Sequence, residues 1–180
     1  MSIQSDVQVG FIADENAADP DRLVTAARPD TSATMAETTF LGGGARNVTV
    51  TTTGTSDNAK TCTITGTDVF GNAITEVIVS TGSAEAVAGA KLFLTVSGVE
   101  CSAQYAANIT VGSGSLCASA VAGGNRTRMK GYSIVSAGTA GLVDFYNGTP
   151  EDGTIIFKAQ TIGTDNTTID NTIPDEGILF

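Results

Sequence analysis

Between Asn47 and Gly112 the chain repeats one pattern: NVTVTTT, KTCTITG, AITEVIVST, KLFLTVSG and ANITVG, each run followed by Gly, Asn, Asp or Ser. Alternation of apolar and polar residues puts one set of side chains on each face of an extended strand, and the turn residues break the runs at regular spacing. That rhythm predicts an all-β chain with a β-sandwich or barrel-like main domain. Its clearest hairpin is TCTITGTDVFGNAITEVIVS, in which Asp68 to Asn72 supply the turn and Gly71-Asn72 permit positive φ. GSAEAVAGAK, 82 to 91, is rich enough in Ala to predict a short helix between strands, although Gly89 weakens it.

Side chains that do chemistry are scarce. The 180 residues include no His and no Trp, and only 16% are charged. Without His no Ser-His-Asp or Cys-His arrangement forms, and a zinc site lacks grouped ligands. No spacing singles out a carboxylate pair among the 19 acids, and GSGS at 112 to 115 is a Gly/Ser loop with no phosphate-binding context. Asp68, Asn72 and Glu76 match a calcium set in residue type only, and turn formation explains Asp68 and Asn72 better. The expectation is a non-enzyme with no cofactor and no metal. A net charge of -10 argues against nucleic-acid binding. No run approaches the roughly 18 apolar residues that span a bilayer, so no membrane partner is expected. The first residues also lack a basic and then apolar leader, which predicts release into the cytosol of the cell that makes the chain.

Cys62, Cys101 and Cys117 make a poor disulfide framework. Cys62 is in phase with Ile64 and should point inward. One bridge between Cys101 and Cys117 is open, with buried thiols the expectation for all three.

Three regions divide the chain. Residues 1–40 read as an N-terminal arm: an apolar patch including Phe11 and Ile12, then a short helix starting at Asp19-Pro20, running through DRLVTAAR with its Arg22, and stopped by Pro29. Leu41-Gly42-Gly43-Gly44 reads as a hinge into the main β-domain, 41–124. Residues 125–180 form a small C-terminal β-domain of short strands (YSIVS, LVDFYNG, TIIFKAQ, TTIDNTI and GILF), introduced by the basic residues Arg126, Arg128 and Lys130. Tyr132, Phe145, Tyr146, Phe157 and Phe180 belong to its expected core. At about 50 residues this unit is small for a core of its own. The chain closes on Ile178-Leu179-Phe180, an apolar strand that must pair or be covered.

Two segments carry a resemblance. ITGTDVFGNAITEVIVSTG from Ile64 to Gly82, followed by KLFLTVSGV, and GYSIVSAGTAGLVDFYNGT from Gly131 to Thr149, closing with IPDEGILF, resemble segments of virion structural proteins of tailed bacteriophages, most of all capsid decoration (cement) proteins. With their connecting strands these segments span roughly residues 47 to 180. The resemblance implies a protein without catalytic residues, made in the host bacterial cytoplasm, that binds the outer capsid surface and bridges neighbouring capsid subunits. Its implied partners are the major capsid protein and other copies of itself, as a homotrimer. Phe11, Ile12, Arg22, Arg126, Arg128, Lys130, Leu179 and Phe180 are the residues expected to meet those partners. A neck or tail component (adaptor or tail-tube-like subunit) is the alternative, and a host-surface or glycan-binding β-module is a further one.

Overall fold

The computed structural model describes residues 18–120, 128–136, 138–163, 167–173 and 178–179. Among the described residues, thirteen strands follow in chain order: β1 (Val24–Ala27), β2 (Ala45–Thr52), β3 (Thr61–Thr67), β4 (Ala73–Val79), β5 (Ala86–Phe93), β6 (Thr95–Cys101), β7 (Ile109–Ala118), β8 (Arg128–Met129), β9 (Gly131–Ser136), β10 (Leu142–Asn147), β11 (Thr154–Gln160), β12 (Thr167–Thr172) and β13 (Ile178–Leu179). The described residues contain no α-helix, only single 3-10 turns at Leu41–Gly43 and Thr55–Asp57. The all-β class read from the alternation is the class observed. The chain divides into two compact units, Met1–Val121 and Ala122–Phe180.

The first unit consists of two antiparallel sheets around one core. One sheet has four strands in the order β1-β7-β2-β5, and the other has three, β4-β3-β6. Alternation places Cys62 and Ile64 of β3 in the core, while Thr61, Thr63 and Thr65 face away. Val48 and Val50 of β2 and Ile109 and Val111 of β7 meet them from the first sheet. In β6 both Val96 and Val99 are buried, three positions apart and out of phase with strict alternation. The reason is a bulge: Thr65 pairs with Gly98 but Gly66 pairs with Val96, which leaves Ser97 as the extra residue.

Residues 18–40, expected as a loosely held arm with a helix, are instead a strap across both sheets. Asp19-Pro20 opens a turn, after which Leu23 donates to the Val111 carbonyl (2.9 Å) and β1 pairs with β7. The strap then runs along β6: Ala33 donates to Val99 O (2.9 Å), Cys101 to Thr31 O, and Val96 to Thr38 O (2.9 Å). Consecutive Leu23 and Val24 are both fully buried, and pairing satisfies the edge of β7, which an isolated helix would leave open. Tertiary pairing overrides the local helix-start signal.

The same override acts on residues 82 to 91, where the expected helix is absent and β5 pairs with β2, Val87 opposite Val50 and Phe93 opposite Arg46. On this side of the sandwich β4 reaches β5 through a side chain. The Glu76 carboxylate accepts the amides of Ala90 (2.7 Å) and Lys91, and Lys91 Nζ returns a bond to Thr75 O at 2.9 Å. The β3–β4 hairpin turn forms where expected. Asp68 Oδ1 accepts the Phe70 and Asn72 amides, both at 2.8 Å, and Gly71 takes φ 83°.

The second unit is a ribbon folded back on itself. β10 pairs with β11, β9 with β12 and β8 with β13, so three antiparallel pairs are nested around the turn at 148–153. Within it Tyr132 of β9, Phe145 of β10 and Phe157 of β11 pack as a trio, with centroids 5.3 to 5.5 Å apart. Such tilted ring contacts add apolar packing to two-stranded pairs that are marginal alone.

Candidate functional site

The sequence-expected contact residues separate when placed in the fold. Phe11, Ile12, Arg126 and Phe180 lie outside the described residues. Arg22 is tied into the strap, with Nε donating to Thr39 O at 3.3 Å and Nη2 lying 3.9 Å from Glu37 Oε2. Arg128 and Leu179 are directly opposite each other, in β8 and β13, so the basic stretch and the apolar terminus share one short ladder. Lys130 is exposed, and its carbonyl accepts the Ile173 amide at 3.0 Å. The C-terminal strand therefore finds its pairing partner within the chain.

The polar groups that do come together were not singled out by sequence. Asp57, on the 3-10 turn after β2, is fully buried. Its Oδ1 accepts Lys60 Nζ and the Ala106 amide, both at 2.7 Å, while Oδ2 accepts Thr52 Oγ1 at 3.0 Å and the Ala107 amide at 3.1 Å. Burial pushes this carboxyl up, but the Lys60 ammonium and the two amides outweigh it and hold the pKa at about 2. Lys60 also donates to the Gln104 carbonyl and lies 5.3 Å from the Tyr105 ring centroid. Thus Asp57 pins the loop 104–107 to the end of β2.

Tyr105 continues the cluster inward. Its ring is fully buried, its backbone is held by Pro29 and Arg28 of the strap, and its hydroxyl meets Cys62 Sγ at 3.3 Å. Cys62 Sγ in turn lies 3.8 Å from Cys101 Sγ across the β3–β6 ladder. The bond with Cys101 pulls the Cys62 thiol below its ordinary value against the opposing effect of burial. The same bond and burial push Cys101 up, and burial followed by the Cys62 contact pushes Tyr105 up. No disulfide is present. Cys62 and Cys101 are buried as expected, but Cys117 is exposed on β7, and the neighbour of Cys101 is Cys62 rather than Cys117. The C-terminal end of β7 lies where alternation no longer sends a side chain inward.

A second polar device sits on β2. Opposite Asn47 and Val48 both neighbouring strands carry extra residues: the register slips between Arg46 and Val48 against β7 and between Asn47 and Thr49 against β5. Asn47, 2% exposed, fills both gaps, accepting the Leu116 amide at 3.0 Å and donating to Gly89 O at 3.1 Å. Gly114 is required there, since a Cβ would collide with the Asn47 side chain. The GSGS stretch is thus part of strand β7, which explains its glycines without a ligand.

Chemically, these groups join strands. Every oxygen of Asp57 is used by the chain itself, and among the described residues no three His, Cys, Asp or Glu side chains gather to hold a metal ion. No helix among the described residues is long and apolar enough to cross a membrane. No family model matches the chain, and no match was found among curated proteins or solved structures.

Proposed function

We propose that this chain is a structural virion protein that binds the outer surface of a tailed-phage capsid and stabilises the shell by bridging neighbouring capsid subunits. The resemblance of segments 64–82 and 131–149 to decoration proteins supplies the class. The structural observation that supports a binding role is a set of exposed apolar side chains in the small second unit, Val135 at 65%, Leu142 at 68% and Ile162 at 62% exposed. A ribbon of two-stranded pairs is marginal alone, and a partner surface that covers such side chains stabilises it. The polar clusters of the first unit, by contrast, join its strands and loops to one another.

In this reading the protein works by mass action. A chain that binds the assembled shell and not free capsid subunits shifts the equilibrium toward the shell, and a homotrimer on symmetric sites multiplies weak contacts. The partners are the major capsid protein and further copies of the chain. The test is binding of the purified protein to shells of the phage that encodes it, against unassembled capsid subunits. Saturable binding to shells alone, with a raised shell melting temperature, supports the reading. Binding to isolated neck or tail assemblies instead selects the adaptor or tail-tube alternative.

A further inference from the structure

We infer that Cys62 and Cys101 are a latent cross-strand disulfide, a redox-sensitive staple that locks β3 to β6 beneath the strap. The two residues are register partners in an antiparallel ladder. The Cys101 amide donates to Thr31 of the strap, away from β3, while the neighbouring Ser102 amide donates to Thr61 O of β3 at 3.0 Å. Cys62 and Cys101 therefore form a non-hydrogen-bonded pair, the kind whose Cα atoms approach to about 4.5 Å and whose side chains are closest. That spacing falls within the window a disulfide accepts. The sulfurs already lie 3.8 Å apart, so closure requires side-chain rotation and a small strand adjustment.

The oxidant is a peroxide. The Cys62 sulfur, deprotonated, attacks hydrogen peroxide; the O–O bond breaks, a sulfenic acid forms, and hydroxide leaves and takes up the proton as water. The Cys101 sulfur then attacks the Cys62 sulfur. The S–S bond forms, the S–O bond breaks, and the sulfenic oxygen leaves as a second water with the Cys101 proton. Two thiols are oxidised by two electrons, and one peroxide becomes two waters. Cys62 is fully buried and Cys101 only 9% exposed, so the reaction waits on local opening at the strap and is slow in the folded protein. Once closed, the link joins residues 39 apart in sequence and fixes the strand edge to which Ala33 and Thr31 bond.

The staple is tested on the full-length chain carrying Cys117→Ser, treated with hydrogen peroxide and compared with a dithiothreitol-reduced sample. A non-reducing peptide map should show Cys62 joined to Cys101, with the intact mass lower by two hydrogens. The melting temperature should rise by about 10 °C, reversibly with reductant, and hydrogen exchange at the Ala33 and Cys101 amides should slow. Cys101→Ala and Cys62→Ala, each in that background, should lose the peroxide-dependent shift whatever their own starting stability. Oxidation to sulfinic acid without a link overturns the inference. So does a link with no gain in melting temperature.

Discussion

Lys60 Nζ lies 2.7 Å from Asp57 Oδ1 and completes four contacts on a carboxylate with no exposed surface. Through it the end of β2 holds a loop some fifty residues further along, which in turn carries Tyr105 into the core. Removing the carboxylate takes the shared acceptor from a part-buried ammonium, the Thr52 hydroxyl and two part-buried amides. Asp57→Ala should therefore cost about 3 kcal/mol. Urea unfolding checks this, with a lower midpoint and an unchanged slope expected.

The same carboxyl sets an acid limit. Its pKa is depressed from 3.8 to about 2 on folding, so its contribution is full above the unfolded value and is lost as pH falls through about 2. Asp68, also depressed by the turn bonds from Asn72 and Phe70 that outweigh its burial, acts with the same sign. Melting temperatures of wild type and Asp57→Asn should differ by a constant amount at neutral pH. The gap should close as pH drops from about 4 toward 2.

Asn47 bridges three strands with one amide group. Asn47→Ala strands the Leu116 amide and the Gly89 carbonyl at two bulges and should cost about 2 kcal/mol. Faster exchange at the Leu116 amide, with exchange in β10 and β11 unchanged, would confirm that the effect is local to the first unit.

These sites show what was legible and what was not. β3 and β4 could be read because alternation and the turn Asp68–Asn72 are both local in sequence. The strap could not, because the pairing partner of Val24 is Val111 and no local signal announces it. Asp57, in TSDNAK, reads as an ordinary turn residue, since two of its donors are the amides of Ala106 and Ala107. Asn47 opens the alternating run NVTVTTT, and the bulges opposite it leave no mark in a sequence of small residues. Arg128 and Leu179 were both picked out, but only the ladder shows that they oppose each other.

The aromatic trio is the main apolar anchor of the second unit. Phe145→Ala should cost about 3 kcal/mol and unfold that unit first. Near-ultraviolet circular dichroism together with limited proteolysis should report loss of the second unit while the first stays protected.

The proposed role puts this chain on the capsid. It is tested most directly by electron-microscopy maps of virions with and without this chain. The proposed role predicts density lost over the capsid faces, in many symmetric copies around the local three-fold axes. Density lost at a single vertex, or none lost anywhere on the particle, would contradict it.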